Sequence, residues 1–341
     1  MLNIQSHVSL KPYNTFGIEA NARYWVEINA EDDLQTLLQL TDYTGFPKLI
    51  LGGGSNLLLT RSFDGLVVKI SIQGIDVIRE DDRHVYVKAG AGVNWHELVM
   101  YSVNHGFAGL ENLSLIPGTV GAAPMQNIGA YGVEIEQVFD SLTAVHMPTG
   151  ETRTFTHADC GFGYRESVFK RECKGQYIIT SVTFRLDKQP TFHTSYGAIQ
   201  ETLSDMGVDE NSLSIKAVSD AVIKIRRSKL PDPAEIGNAG SFFKNPEIPK
   251  TQFENLKEQY PAMPGYPIGD TTVKLPAGWL IEQAGWKGYR EGDAGVHARQ
   301  ALVLVNYGNA TGDQILSLAH RVQASVAEKF GVSITPEVNV I

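Results

Sequence analysis

A run of small, uncharged residues from Ile116 to Gly132 constrains the fold of this chain more than any other sequence feature. It reads Ile-Pro-Gly-Thr-Val-Gly-Ala-Ala-Pro-Met-Gln-Asn-Ile-Gly-Ala-Tyr-Gly and contains no Asp, Glu, Lys or Arg. A purely structural loop usually carries more solvated side chains, whereas small residues leave the backbone open to close contact with a ligand. We therefore expect this segment to line a site for a large, flat ligand.

A second glycine-rich segment, Gly52-Gly53-Gly54-Ser55-Asn56, directly follows the apolar run Lys48-Leu49-Ile50-Leu51. Consecutive glycines let successive backbone N–H groups converge on an anion such as a pyrophosphate. The segment is not a Rossmann motif, because Leu57 stands where the third glycine is required. Taken alone, it is equally compatible with a tight turn between strands. Two such segments in one chain favour a single extended dinucleotide ligand.

Composition excludes several classes of protein. The 341 residues, 43% of them hydrophobic, can bury a large core in two or three domains. The formal net charge of -9 argues against nucleic-acid binding, which needs a surplus of Lys and Arg on one face. Cys160 and Cys173 form no C-x-x-C pair, and no H-E-x-x-H motif occurs, so we expect a reducing compartment and no metal.

The N-terminal sequence also lacks the basic start and apolar core of a secretory signal. The most apolar runs, Lys48–Leu51 and Ala301–Val305, are far shorter than the roughly 20 residues of a membrane helix. We expect a cytoplasmic protein without a membrane partner.

Hydrophobic periodicity predicts α+β architecture. Leu34, Leu37 and Leu38 indicate a helix before the Lys48–Leu51 strand, which we expect to be buried. Further strands are predicted at 66–70, 85–87, 141–146 and 181–186, the last of them half-buried because Val182, Phe184 and Leu186 alternate with Ser181, Thr183 and Arg185. Helices are predicted from Asn94 to Gly106, from Ile215 to just before Leu230-Pro231, and from Ile315 to Gly331. There is no regular βαβ rhythm.

Several longer motifs resemble one family closely. The two glycine-rich segments and Asn14-Thr15-Phe16-Gly17 are similar to the FAD domain of p-cresol-methylhydroxylase-like flavoproteins. The chain resembles the UDP-N-acetylenolpyruvoylglucosamine reductase family over essentially its whole length, in the motifs 163–167 (Gly-Tyr-Arg-Glu-Ser), 229–233 (Lys-Leu-Pro-Asp-Pro), 237–246 (Gly-Asn-Ala-Gly-Ser-Phe-Phe-Lys-Asn-Pro) and 336–338 (Pro-Glu-Val).

The resemblance implies a flavin reductase that takes part in peptidoglycan precursor synthesis. NADPH would reduce FAD, leave, and be replaced in the same pocket by an enolpyruvyl UDP-sugar, which becomes UDP-N-acetylmuramate. It further implies a two-lobed FAD-binding domain (1–70 and 71–220), a substrate-binding domain (221–330), a C-terminal segment returning to the active site (331–341), and a monomer. Residues expected to bind the cofactor are Gly52, Gly53, Gly54, Ser55, Asn56, Pro117, Gly118, Thr119, Gly121, Ala122, Asn127, Gly129, Ala130, Tyr131 and Gly132.

Three residues match the family's catalytic positions. Arg165 would stabilise the substrate carboxylate as it gains negative charge, because its rigid fork of donors suits that group. Ser241 would donate a proton to the carbon beside the carboxylate, and Glu337 would orient the same end of the substrate or help to manage its proton. Considered alone, Arg165 would more often be a structural ion-pair partner, for example of Glu166, and Ser241 a turn or cap residue.

Further matches concern the nucleotide substrate. Lys229 matches a lysine near the diphosphate, whereas Lys224, Arg226 and Arg227 need only complement the helix dipole. Tyr196 lies on a loop expected to move on binding. The other matched ligands are Asn245 and Gln300.

Two alternatives stay open at this point. Another enzyme of the same flavin fold would oxidise an alcohol or hydroxy acid, although neither glycine-rich segment holds the His or Cys that often tethers the flavin in such oxidases. A flavin- or nucleotide-binding sensor would bind without catalysis.

Overall fold

The computed structural model describes residues 2–341, which form a mixed set of strands and helices. The strands, in chain order, are β1 (Gln5–Ser9), β2 (Asn21–Ile28), β3 (Lys48–Leu51), β4 (Leu57–Leu58), β5 (Phe63–Ile70), β6 (Ile75–Glu80), β7 (His84–Gly90), β8 (Gly129–Ala130), β9 (Val133–Glu134), β10 (Phe139–His146), β11 (Thr152–Thr156), β12 (Tyr177–Asp187), β13 (Gly237–Ser241), β14 (Glu247–Pro249), β15 (Tyr266–Ile268), β16 (Thr272–Lys274), β17 (Arg290–Glu291), β18 (Ala294–Val296), β19 (Val303–Asn306) and β20 (Asn339–Val340).

The helices are interspersed among these strands. The α-helices are α1 (Glu31–Gln39), α2 (Trp95–Asn104), α3 (His157–Cys160), α4 (Ile199–Asp205), α5 (Ile215–Lys229), α6 (Lys250–Gln259), α7 (Ala277–Gln283) and α8 (Gly312–Phe330). Short 3-10 helices lie at Lys11–Tyr13, Thr41–Tyr43, Glu111–Leu113, Val120–Gln126, Ile135–Gln137 and Val168–Lys170.

The chain forms two compact units that are discontinuous in sequence. The first comprises the described residues up to Val8, Ala22–Gly53 and Asp64–Ser228, and the second comprises Ser9–Asn21, Gly54–Phe63 and Lys229–Ile341. The second unit therefore consists of two short N-terminal segments and the C-terminal part of the chain.

Two sheets organise the first unit. One has the strand order β1-β2-β5-β3, with β3 parallel to β5. The other is antiparallel, in the order β11-β10-β12-β7-β6. Fully buried side chains such as Val26, Leu66, Val87 and Phe184 share one hydrophobic core, which includes Val120 and Ala123 of the second glycine-rich segment.

Helix α2 begins where its N-cap residue predicts. The Asn94 side chain accepts hydrogen bonds from the N–H groups of His96 and Glu97, two of the donors that a helix N-terminus leaves without intrahelical partners. At the other end Gly106 adopts a φ of 76°, the left-handed conformation that glycine tolerates best. The predicted helix is confirmed.

The burial of two predicted strands differs from expectation. Ser181 and Thr183 are buried together with Val182 and Phe184, so β12 is not the half-buried strand that its alternation indicated. The reason is its position: β12 lies between β10 and β7, and the 3-10 helix at 120–126 packs against it. Conversely, β3 is mostly half-buried because it is an edge strand of its sheet.

The second unit contains the sheet β13-β19-β18-β17, the small sheet β14-β16-β15 and the parallel pair β20-β4. Helix α8 packs on β18 and β19. Its N-cap Thr311 forms a capping box with Gln314, and Gly331 closes it with a φ of 62°. Both α8 and α5, which ends at Lys229 before Pro231, confirm the predicted helices.

Within residues 2–341, no helix combines the length and the apolar character that crossing a membrane requires.

The two free cysteines lie in different environments, which yields a test of this core. Cys160 is fully buried, and burial raises the pKa of its thiol to about 12, whereas Cys173 is half-buried. Because the thiolate is the reactive form, a thiol reagent at pH 8 should titrate Cys173 in the native protein and Cys160 only after unfolding. The Cys173→Ser variant should show no rapid reaction, and two fast thiols in the native protein would contradict the described packing.

Candidate functional site

The two glycine-rich segments that are predicted to bind a dinucleotide meet in the first unit. A Cβ atom on Gly52 would lie 2.6 Å from Thr119 Oγ1, and one on Gly53 would lie 2.8 Å from Gly118 Cα. Such distances leave no room for a side chain at either position, and at Gly53 the obstacle is backbone, which cannot rotate away. The backbone of residues 52–53 therefore lies directly against that of residues 118–119.

The Thr119 hydroxyl, located at this contact, has a property of a ligand-binding group. Thr119 is buried, and its Oγ1 has no hydrogen-bond partner among the described residues. A buried hydroxyl without a partner typically destabilises a protein by about 1–3 kcal/mol, so such groups are usually explained by a ligand or water. The hydroxyl fits a polar ligand with hydrogen-bonding atoms, as the phosphates and ring edges of a dinucleotide provide.

The neighbouring residues of the second segment are occupied by internal bonds. The N–H groups of Val120, Gly121 and Ala122 donate to the carbonyls of Val93, Ala91 and Thr119. A Cβ on Gly121 would lie 2.5 Å from Ala91 Cβ, so packing within the unit already explains that glycine. Because these three N–H groups already donate to carbonyls of the protein, they do not point at an anion as the glycine-rich sequence suggested. Pro117 and Ala122 are exposed at the ends of this stretch.

The second half of the first glycine-rich segment belongs to the second unit. Gly54 has a φ of 63°, and a side chain there would collide with the Tyr13 carbonyl oxygen. The Thr15 N–H donates to the Gly54 carbonyl at 3.1 Å. The five residues predicted as one loop are thus divided between the units, with Ser55 and Asn56 following Gly54.

Residues 127–132 form a strained turn around the hairpin of β8 and β9. Asn127 and Tyr131 both adopt left-handed backbone conformations, with φ values of 45° and 52°. Non-glycine residues rarely do so, and such strain often accompanies function. The Asn127 amide donates to Glu134 Oε2 at 2.9 Å and to the Gly163 carbonyl, and its Oδ1 accepts from the Glu136 N–H. Its side chain therefore shapes the turn, with Gly129, Ala130 and Gly132 completing it.

Arg165 projects onto this turn. Its Nη2 donates to the Gly129 carbonyl at 2.7 Å, and its Nη1 lies 3.8 Å from Glu134 Oε1. The residue has a φ of 55°, and its side chain is only 18% exposed. A strained backbone holds this half-buried guanidinium beside the turn at 127–132, which is the placement expected of a preorganised charge.

The second unit brings the end of β13, which carries Ser241, next to the segment before β20, which carries Glu337. The Glu337 N–H donates to the carbonyl of Phe242, the residue after Ser241, at 2.8 Å. Ser241 is exposed and lies at a register shift in the pairing of β13 with β19, beside Gly240, whose φ is 71°. The Asn56 side chain donates to the Glu337 carbonyl at 3.3 Å. Two residues predicted to share the chemistry thus lie together.

Three residues predicted to bind the nucleotide also lie in the second unit. Asn245 Oδ1 accepts the Ala277 N–H at the start of α7. Gln300, on the turn before β19, accepts weakly from the Leu302 N–H at 3.4 Å. Lys229 is exposed at the end of α5. The roles of these three side chains in binding the nucleotide stay predictions.

Tyr196 lies in the first unit, over the turn at 127–132. Its side chain is exposed, and its ring meets the Tyr131 ring edge-on at 6.5 Å between centroids. A Cβ on Gly132 would lie 3.3 Å from Tyr196 Cβ, so glycine there lets the tyrosine approach.

Two polar residues make contacts near the site that the sequence did not predict. Arg226, assigned only to the helix dipole, is half-buried, donates from Nε to the Leu115 carbonyl at 3.2 Å and bonds the Tyr131 hydroxyl, and burial lowers its pKa. Asn112, which was not singled out, is fully buried and contacts the Tyr131 carbonyl. An arginine in a basic cluster and an asparagine in a loop carry no sequence signal of such contacts.

Two family models match the chain. The model described as an FAD binding domain matches residues 22–156, and the model described as UDP-N-acetylenolpyruvoylglucosamine reductase, C-terminal domain, matches residues 232–341. The first match contains the contact between residues 52–53 and 118–119, and the second contains Ser241 and Glu337.

Relatives match over the full length. The chain is 54% identical to UDP-N-acetylenolpyruvoylglucosamine reductase of Amoebophilus asiaticus over 340 residues, covering 100% of both chains, and 54% identical to that of Flavobacterium johnsoniae, also covering 100% of both. A solved structure of UDP-N-acetylenolpyruvylglucosamine reductase from Thermus caldophilus superposes with a TM-score of 0.69 at 24% identity, covering 100% of this chain and 99% of that one. Together with the FAD-domain match, this confirms the predicted fold class.

The backbone contact at Gly53 leads to a prediction about flavin retention. Gly53→Ala forces a methyl group against Gly118 Cα, and overpacking of this kind typically destabilises by about 1–3 kcal/mol. The purified variant should lose most of its bound flavin, measured as visible absorbance per protein. Gly45→Ala is the matched control, because its Cβ would meet no atom within 4 Å. Equal flavin content in the two variants would contradict the assignment of this contact to the cofactor site.

Proposed function

The chain belongs to the UDP-N-acetylenolpyruvoylglucosamine reductase family, and we propose that it reduces UDP-N-acetyl-3-O-(1-carboxyvinyl)-glucosamine to UDP-N-acetylmuramate with NADPH, through bound FAD. The reaction supplies peptidoglycan precursors, and we propose that it takes place in the cytoplasm, in a monomer, in support of wall biogenesis, cell shape and division.

One observation carries the cofactor proposal. The backbones of residues 52–53 and 118–119 lie against each other, and the buried Thr119 hydroxyl beside them has no protein partner among the described residues. This arrangement lies inside the FAD-domain match and suits a dinucleotide. Gly52, Gly53, Gly118 and Thr119 would hold the cofactor. When bound, FAD would accept a hydride from NADPH and supply it to the enol ether of the UDP-sugar.

Ser241 acts as the proton donor in this proposal. Hydride addition to the terminal carbon of the enol ether leaves negative charge on the carbon beside the carboxylate, and that carbon must then be protonated. A serine hydroxyl is a weak acid, but it can protonate a centre with carbanion character, which is far more basic. The exposure of Ser241 at the register shift of β13 leaves its side chain accessible to a substrate.

Arg165 and Glu337 stabilise and orient the substrate carboxylate end. The guanidinium of Arg165 is held by the Gly129 carbonyl and by Glu134, so its position is set before substrate arrives. Glu337 is held through its backbone, by the Phe242 carbonyl and by the Asn56 amide, beside the residue that follows Ser241. Tyr196, Lys229, Asn245 and Gln300 contact the nucleotide part of the substrate.

Anaerobic mixing tests the proposed reaction as a whole. NADPH should bleach the flavin absorbance, and subsequent addition of the enolpyruvyl UDP-sugar should restore it while UDP-N-acetylmuramate forms. Bleaching that only an alcohol or oxygen reverses would place the chain with other flavin enzymes. A flavin that NADPH does not bleach with any acceptor would indicate a binding protein without this activity.

The role of Ser241 has its own test. Ser241→Ala should leave NADPH-driven flavin reduction unchanged and slow reoxidation by the UDP-sugar by about 10²- to 10⁴-fold, the usual range for a general acid. Stopped-flow absorbance separates the two half-reactions. Ser333→Ala, at an exposed serine of the same unit, is the control and should change neither. Equal slowing of both half-reactions in Ser241→Ala would refute the assignment.

A further inference from the structure

Asn112 links the strained turn at 127–132 to the loop that carries Tyr196. The residue lies in the 3-10 helix Glu111–Leu113 and is 1% exposed. Its Nδ2 donates to the Tyr131 carbonyl at 3.1 Å and to the His193 carbonyl at 2.8 Å. Both donor positions of the amide are therefore occupied, one by the turn and one by the loop.

The contacts around the loop show where its fixed part ends. Phe192 and Ala198 pack against the hydrophobic cluster of α4 and α5, and Ile199, the first residue of α4, is fully buried. Between Phe192 and Ala198 lie Gly197, with a φ of 64°, and the exposed Tyr196. On the N-terminal side of Tyr196, the buried Asn112 side chain holds the loop by its hydrogen bond to the His193 carbonyl.

We propose that Asn112 is a positioning residue, a pivot that fixes the start of the Tyr196 loop relative to Tyr131 and so limits how far Tyr196 can travel. Three residues separate His193 from Tyr196, and an extended chain spans at most about 3.3–3.6 Å per residue. Tyr196 Cα therefore moves within about 11 Å of the point that Asn112 holds. The effect on turnover rests on the proposed function of Tyr196 as a nucleotide ligand.

The side-chain chemistry at position 112 is specific. Asn112 donates to two carbonyls at once, and its amide nitrogen can do so because it carries two N–H donors. Aspartate has nearly the same shape but cannot donate when ionised, and alanine provides no polar group. Either substitution would free the loop and the turn from each other without altering any residue that contacts substrate.

The test compares Asn112→Ala and Asn112→Asp with Gln35→Ala. Gln35 is a suitable control, because its Nε2 also donates to a backbone carbonyl, that of Gly150, in the same unit. In the protein without nucleotide, limited proteolysis within 191–198 should accelerate about tenfold in the Asn112 variants, the change expected for one lost hydrogen bond, and stay unchanged in Gln35→Ala. The KM for the enolpyruvyl UDP-sugar should rise about tenfold, while the rate of flavin reduction at saturating NADPH stays near that of the wild type.

An unchanged rate of proteolysis within 191–198 in a folded Asn112 variant would overturn the pivot. If both variants fail to fold, the wild type decides: saturation with the UDP-sugar should alter exchange within 194–198 and leave 191–193 and 129–132 constant, and a change that spreads into 191–193 overturns the proposal. The proteolysis measurement on the protein without nucleotide does not depend on catalysis. A wild type that fails to oxidise NADPH would therefore refute the proposed function while the proteolysis result stands.

Discussion

The contact between the backbones of Gly53 and Gly118 is the constraint on which the candidate site depends. A single methyl group at Gly53 would lie 2.8 Å from Gly118 Cα, so the two segments can meet only if residue 53 lacks a side chain. The contact leaves the Thr119 hydroxyl buried and without a protein partner among the described residues. The protein thus contains a polar group whose desolvation is not compensated internally, and this is the thermodynamic reason to expect a ligand.

Strain and preorganisation recur around the rest of the site. Tyr131 and Arg165 hold left-handed conformations that non-glycine residues rarely adopt, and each is fixed by side-chain or backbone hydrogen bonds. In the second unit, the backbone of Glu337 is hydrogen-bonded to Phe242 and to Asn56, so the C-terminal end of the chain is positioned by residues distant in sequence, one of them 281 positions away. Such long-range pairing orients groups before substrate binds, which is how a site avoids reorganisation during the reaction.

Local signals in the sequence predicted the helices well, because caps and periodicity are local properties. Asn94, Gly106, Gly331 and Pro231 mark helix ends where the structure has them. The burial of Ser181 and Thr183 was not predictable in this way, because it depends on β12 being a central strand covered on both faces. The division of residues 52–56 between two units and the contacts of Arg226 and Asn112 are also tertiary facts that no local pattern encodes. The roles of Arg165, Ser241 and Glu337 came from motif resemblance alone.

A crystal structure of the FAD-loaded protein tests the central claim most directly. The account predicts that an atom of the cofactor lies within hydrogen-bond distance, about 2.5–3.0 Å, of Thr119 Oγ1, with the cofactor against the backbone of residues 52–53 and 118–119. A cofactor bound elsewhere, with the Thr119 hydroxyl still lacking a partner, would contradict it.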